Sequence, residues 1–271
     1  FMKCKITTLT ENCVYGRKLQ AEHGLCLYVE LPDAVVLFDT GASDLFVRNA
    51  RLLHADLQRV DYLILSHGHS DHGGGLKAFL EVNTRARVVC KHEAFDRKFK
   101  GERENGMKGT EGLDLSRFLF VEQTMELVPD LWVFPDLPVE DERDTHFEQF
   151  LVQRNGRLQP DCFDDELAVV LQGKEGMAVL SACSHRGITN ALRRIRRQFP
   201  ALPLKLLLGG FHIHNAVSEK DRVIAAYLSE DLPERLGVCH CSGVDKYAVF
   251  HALWGDRVFY NHTGCVTEVT L

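Results

Sequence analysis

Ser66-His67-Gly68-His69-Ser70-Asp71-His72-Gly73-Gly74-Gly75 follows directly on the apolar run Tyr62-Leu63-Ile64-Leu65. The apolar run reads as a buried strand over residues 60–65, and the glycines lead into a helix over residues 76–82. A strand that ends in such a loop brings three imidazoles and a carboxylate to one point in space. Those are the ligands that zinc, manganese and iron accept in open, water-bearing sites. His67 and His69 can point the same way and share one metal. Asp71 and His72, on the adjacent turn, can reach a second. Two metals would hold a water between them and lower its pKa towards neutrality. The first expectation is therefore an enzyme with two divalent metal ions, zinc first, with manganese or iron as alternatives.

Composition narrows the partners. The chain has 271 residues, is 45% hydrophobic and carries a formal charge of −6. That is long enough for a full core and argues against non-specific nucleic-acid binding, which needs a basic face. No apolar run approaches the roughly 18 residues of a membrane span, and the first residues lack a signal-peptide core. The expectation is a cytoplasmic protein with neither nucleic acid nor membrane as partner, and the charge does not exclude a local basic pocket for a small, anionic substrate. Nine cysteines are scattered without a Cys-x-x-Cys pair, so they read as reduced thiols and not as a zinc ribbon.

Strands are expected at residues 25–31 and 34–38, then 60–65, 87–90, 118–121, 125–127 and 131–134. A hairpin turns at Asn155-Gly156. Strands at 167–171, 177–181, 204–208 and 237–239 follow, with a last one near 257–260, and helices lie at 43–54, 76–82 and 188–199 and begin at 218 and 242. The order, strands first and then strand–helix alternation, repeats in each half. Two packed sheets with helices outside are the natural assembly. No linker divides the chain, so residues 1–271 read as a single domain. Residues 91–117 carry seven basic and six acidic residues and read as a long, partly helical loop insertion over the site.

Ser66 to Gly75 resembles the signature of the metallo-β-lactamase-fold superfamily, and Phe38-Asp39-Thr40-Gly41 is similar to its second-strand motif. The resemblance implies an αββα sandwich, two mixed β-sheets with helices on the outer faces and the metals at one edge. Asp39 would then buttress the metal loop without binding metal. Ser181-Ala182-Cys183-Ser184-His185 ends a buried strand where the superfamily places a bridging aspartate, so His185, or else Cys183 as a thiolate, is the implied ligand. His240, in Val238-Cys239-His240-Cys241-Ser242-Gly243, falls where the superfamily has its last histidine. The implied metal ligands are His67, His69, Asp71, His72, His185 and His240. One departure stands out. Most superfamily hydrolases have a histidine just before residue 167, whereas this chain has Asp161, Asp164, Asp165 and Glu166, with His146 farther upstream.

A narrower resemblance rests on Glu22-His23-Gly24-Leu25, Cys183-Ser184-His185, Gly209-Gly210-Phe211-His212 and His240-Cys241-Ser242-Gly243. Together they resemble the 7,8-dihydropterin-6-methyl-4-(β-D-ribofuranosyl)-aminobenzene-5′-phosphate synthase-like subgroup. This implies a phosphorylated or heteroaromatic substrate. Asp71 and His212 are the candidate catalytic residues, and Glu22, His23 and His212 the candidate substrate contacts. The leading expectation is hydrolysis at a phosphoryl or acyl centre. The alternatives are a pterin-type transferase with a dihydropterin pyrophosphate donor, and a non-catalytic ligand sensor.

Overall fold

A computed structural model describes residues 2–215 and 218–271. Its centre is a pair of seven-stranded sheets. The first runs, in spatial order, Val266–Thr270, Lys3–Thr10, Cys26–Glu30, Val35–Phe38, Tyr62–Ile64, Arg87–Cys90 and Phe118–Phe120. The second runs Val258–Tyr260, Arg235–Val238, Leu204–Gly209, Met177–Ser181, Ala168–Gln172, Leu131–Phe134 and Met125–Val128. Each sheet is mixed. The first is antiparallel up to the Val35–Phe38 strand and parallel beyond it. The second is parallel as far as Met177–Ser181 and antiparallel after it.

Strand periodicity sorts the core into layers. In Val35–Phe38 all four side chains are buried, but Val36 and Phe38 face the opposite sheet while Val35 and Leu37 face outwards. Ile6, Leu27, Val29, Ile64 and Val89 meet Val133, Val169, Leu180, Leu206 and Leu208 between the sheets. Helices Leu45–Leu52 and Leu76–Val82 cover the outer face of the first sheet through Phe46, Ala50, Leu76 and Phe79. Helices Ile188–Gln198, Ser218–Glu230 and Gly243–Trp254 cover the second through Leu192, Ile195, Ile224, Leu228 and Phe250. This is the αββα sandwich. Among the described residues no helix is long and apolar enough to cross a membrane.

Two expectations change. The strand near residue 260 is not the last: Val266–Thr270 follows and pairs with Lys3–Thr10, which was not anticipated either. Both alternate polar and apolar residues too weakly to announce themselves. The segment 91–117, expected as a long and partly helical loop, also carries strands. After a short 3-10 turn at His92–Phe95, Arg97–Lys100 pairs with Phe150–Arg154 in a third sheet of four strands. The buried position in that strand is Lys98, fully enclosed, so the usual apolar alternation is hidden behind a charge. Lys98 donates to Asp161 Oδ2 at 2.8 Å and Asp165 Oδ1 at 3.1 Å. The hairpin does turn at Asn155-Gly156, where both residues have φ near +60°, 51° and 74°, as a two-residue turn between twisted strands requires.

Candidate metal centre

The strand Tyr62–Ile64 stops at the sheet edge and the next residues form the loop Ser66 to His72. One buried carboxylate organises it. Asp39 Oδ1 accepts from Ser66 N at 2.7 Å, and Asp39 Oδ2 accepts from Ser66 Oγ and from His72 Nδ1, both at 2.7 Å. Asp39 itself sits at φ 59°, a conformation an aspartate tolerates better than most residues. The far side of the loop is held by Asp165 and by the segment 91–117. Gly68 N donates to Asp165 Oδ2 at 2.6 Å, Ser70 N to Asn105 O at 2.8 Å, and Met107 N to Gly68 O at 3.1 Å. A side chain at position 68 would run into the Ala94 carbonyl, so only glycine lets the loop pass there.

The second sheet contributes from three neighbouring strand ends. Cys183 and His185 follow Met177–Ser181, His212 follows Leu204–Gly209, and His240 and Cys241 follow Arg235–Val238. Glu166 fixes the first of these turns, accepting from His185 N at 2.6 Å and Arg186 N at 2.8 Å. Glu11, at the end of the first strand, fixes the last, accepting at Oε1 from His240 N and from Tyr260 Oη, both at 2.6 Å. Ser184, His212 and His240 all take φ between 51° and 56°. Non-glycine residues held there cost about 1–3 kcal/mol each and concentrate where function over-determines the backbone.

Two donor groups result. In the first, the His67, His69 and His185 rings lie 4.7–5.2 Å apart, centre to centre, and all three Nε2 atoms are buried with no hydrogen-bond partner. In the second, His72 Nε2 and His240 Nε2 are 3.1 Å apart, and Asp71 Oδ2 lies 3.6 Å from the one and 3.3 Å from the other. Cys183 Sγ, 3.1 Å from His72 Nε2, groups with His67 and His185 on one side and with His72 and His240 on the other.

The tautomers favour a cation in both groups. His67 Nδ1 faces Ser66 Oγ, whose proton is engaged by Asp39, so His67 Nδ1 is the donor. His185 Nδ1 donates to the His146 carbonyl at 3.1 Å, and His72 Nδ1 to Asp39. His240 Nδ1 donates to Asn12 Oδ1 at 2.7 Å, an oxygen fixed as acceptor by Gly24 N. Each of these rings therefore aims its Nε2 inwards, as a lone pair whenever the ring is neutral, the arrangement that carboxylates and carbonyls impose on metal-binding histidines. Two such lone pairs facing at 3.1 Å repel unless a proton or a metal ion lies between them.

The charges agree. Burial pushes His69 down to about 3 and, against the pull of Asp71, His240 down to about 4. Burial also holds His67 and His185 well below the ordinary imidazole range. Burial opposes the His72 cation too, but Asp71 and Asp39 outweigh it and push His72 up to about 9. Burial works against the Asp71 carboxylate as well, yet His72, His23 and His240 keep its pKa well below the usual value. Neutral imidazoles in the first group, and a neutral His240 beside an ionised Asp71 in the second, are a fitting donor set for divalent ions, while His72 keeps a proton that a bound cation would displace. Burial and the neighbouring Cys241 push the Cys183 thiol up, so a bound cation is what would make it a thiolate.

Other anticipated residues fall differently. Glu22 does not face the donors: its oxygens accept from Ala42 N, Ser43 N and Ser43 Oγ, so it braces the loop after Asp39. His23 stands at the rim, largely exposed, with Nε2 3.2 Å from Asp71 Oδ2. His212 packs 4.2 Å from the His185 ring, and its Nδ1 is buried without a partner. The acidic run before residue 167 adds no donor to either group. Asp161 and Asp165 pair with Lys98, Asp164 with Arg154, and Glu166 with backbone N–H groups. His146 is turned to Asp144. His185 and Cys183, between which the sequence left the bridging slot open, occupy different places: His185 stands with His67 and His69, and Cys183 lies between the groups.

Several participants were not anticipated. Phe163 stacks on His185 with centroids 3.8 Å apart and planes 9° from parallel, and Phe150 closes the same wall, 5.1 Å from His185 and 5.6 Å from His212. Glu11 and Asn12 carry one legible sign, a polar pair closing a strand.

A model of the Metallo-beta-lactamase superfamily matches residues 19–153. The chain is 26% identical over 284 residues to the 7,8-dihydropterin-6-methyl-4-(beta-D-ribofuranosyl)-aminobenzene-5'-phosphate synthase of Methanocaldococcus jannaschii, covering 97% of this chain and 96% of that protein. It is also 26% identical over 272 residues to an uncharacterized protein of the same organism, covering 97% and 100%. Among solved structures, Tm1679, a metal-dependent hydrolase of the beta-lactamase superfamily, aligns with a TM-score of 0.86 at 32% identity, covering 98% of this chain and 99% of that one. A diphosphatase from the PhnP family shares the fold, with a TM-score of 0.57 at 13% identity over 99% and 98% of the two chains.

Proposed function

Because this chain belongs to the metallo-beta-lactamase superfamily, we propose that it is a metal-dependent hydrolase of a small, anionic phosphorylated or heteroaromatic substrate. The observation that carries this reading is the set of buried, unpartnered Nε2 atoms of His67, His69 and His185 beside the facing nitrogens of His72 and His240. Leaving a buried polar atom unsatisfied costs about 1–3 kcal/mol, so a fold that keeps several of them together is built to hold something.

In this reading His67, His69 and His185 would hold one divalent ion, Asp71, His72 and His240 would hold another, and Cys183 would be within reach of both. Zinc suits the mixture of imidazole, carboxylate and thiol best. Such ions supply Lewis acidity and an acidified water. The protein does the rest. Asp39 fixes the loop, and through Ser66 and His72 it sets which ring nitrogen is free. Asp71 orients the attacking water. His212, beside His185, handles the proton or the charge that develops on the substrate. Phe150 and Phe163 keep bulk water from the first group. His23, at the rim with Nε2 3.2 Å from Asp71 Oδ2, meets the anionic part of the substrate.

The test is elemental analysis combined with turnover of generic phosphodiester and ester substrates. Zinc-loaded protein turns over, and His69→Ala loses both metal-dependent turnover and part of the metal. Full activity of wild type in metal-free buffer would refute the proposal, and tight ligand binding without turnover would point to a sensor instead.

The similarity to a named synthase supports a second reading, group transfer from a dihydropterin pyrophosphate. The same donors serve it, with an amine or carbon nucleophile in place of water. Incubation with that donor separates the two readings. Hydrolysis gives only the free alcohol or phosphates, whereas transfer gives a new bond to the pterin methylene carbon.

A further inference from the structure

Cys183 and Cys241 belong to different strand ends, with the Leu204–Gly209 strand between them. Ordinarily the side chain that follows the middle strand would keep two such residues apart. Here that residue is Gly210, and a Cβ placed on it would stand 2.5 Å from Cys241 Sγ and 2.5 Å from the Ala182 carbonyl oxygen. The missing side chain is the space in which Cys241 reaches across. Cys241 Sγ points at the Cys183 carbonyl, 3.7 Å away, and accepts from His212 N at 3.2 Å. Cys183 Sγ, Cys241 Sγ and a His212 ring nitrogen all lie within 4.8 Å of one another. All nine cysteines are free thiols, and Cys183 is buried while Cys241 is only partly so.

We propose that Cys183 and Cys241 form an oxidisable dithiol that gates the metal centre. The gate rests on the reading of Cys183 as a metal donor; the couple itself does not. The oxidant is a hydroperoxide. Cys241, the more accessible thiol, attacks the peroxide oxygen. The O–O bond breaks, Cys241 becomes a sulfenic acid, and water or an alcohol leaves. Cys183 Sγ then attacks the Cys241 sulfur. The S–O bond breaks, and the departing hydroxide leaves as water with the Cys183 proton, or with a proton from solvent where a bound cation has already taken that proton's place. The two thiols lose two electrons and two protons in all, and the sulfurs close to a bond of about 2.05 Å. That bond draws Cys183 Sγ away from His72 and His67 and leaves both donor groups short of their shared sulfur.

The experiment uses zinc-loaded wild-type protein treated with hydrogen peroxide, quenched, desalted, and divided between peptide mapping and elemental analysis. The expected result is a Cys183–Cys241 linked peptide, together with a loss of zinc affinity of about tenfold or more, both reversed by dithiothreitol. Cys241→Ser should keep its zinc under the same treatment. The wild-type arm decides the matter even if that variant folds poorly. Recovery of both thiols unlinked, or a linked pair with undiminished zinc, overturns the proposal. If reduced protein takes up no zinc at all, the gate falls with the metal reading, and the linked peptide still reports on the couple.

Discussion

The two sheets build their halves of the site in opposite ways. The first sheet gives His67, His69, Asp71 and His72 from one loop six residues long, organised by the buried carboxylate of Asp39 and steadied on its far side by Asp165 and Asn105. The second gives Cys183, His185, His212 and His240 from three separate strand ends, each with its own support: Glu166 under His185, Ser242 Oγ and Cys241 Sγ accepting from Phe211 N and His212 N, and Glu11 and Asn12 under His240. A local motif shares its supports among all its donors and fails as a unit. A distributed one fails piece by piece. The first half should therefore be brittle and the second graded.

The strongest challenge to that contrast is Asp39→Ala. It strips Ser66 and His72 of their common acceptor and leaves buried donors unpaired, so a stability loss of about 3–5 kcal/mol is expected in denaturant titration. Metal should be lost from both donor groups together. Loss from only one group would show that the loop does not behave as a unit.

Acid should come next. His69 and His240 have folded pKa values of about 3 and about 4, below the roughly 6.5 of an unfolded histidine. The unfolded chain therefore binds more protons between these limits, and stability contributed by the neutral rings is present above about pH 6.5 and falls as pH drops towards 3. His72, pushed up to about 9, has the opposite sign: its contribution is complete below 6.5 and fades as pH rises through 9. Thermal melts of the metal-free protein should thus peak between these flanks, with zinc protecting the acid side most. A flat acid limb would mean that those rings are not held neutral.

Glu11→Gln probes the distributed half. The amide keeps the shape but weakens the acceptor for His240 N and Tyr260 Oη, so metal affinity should fall about 10- to 100-fold with the His67–His69–His185 group still loaded. Loss of both metals would make the second half as brittle as the first. Phe163→Leu is the mildest test. It removes the stack on His185, worth about 0.5–1.5 kcal/mol beyond area burial, and should loosen His185 without unloading His72 and His240.

The same contrast governs what the sequence discloses. A loop that follows its own strand and lies next to its own helix is legible as a unit, and the donors His67 to His72 could be read outright. His185 and His240 could be located only because each follows an apolar strand run at a place where the resembled superfamily has a ligand, and their destinations could not: nothing in Cys183-Ser184-His185 says which of the two side chains turns towards His67. Carboxylates were the hardest to place. Asp165 and Glu166 look like ligands in the sequence, yet one is taken by Gly68 N and Lys98 and the other by two backbone N–H groups, which only the packed fold reveals. Lys98 was invisible for a related reason, since a buried cation breaks the apolar alternation by which strands are recognised.

The pairing of Lys3–Thr10 with Val266–Thr270 also bears on the order of events in folding. Glu11 receives Thr263 Oγ1 at its carbonyl, 252 positions along the chain, and positions His240 from the same spot. Contacts of such sequence separation form late and slow a domain's folding, because the intervening loop must close before they gain anything. While a ribosome is still making the last strand, the loop from His67 to His72 can already be shaped, but the seat of His240 cannot. A nascent chain should therefore capture its first ion before its second, and the protein should gain its full metal complement only after the last strand has joined the sheet.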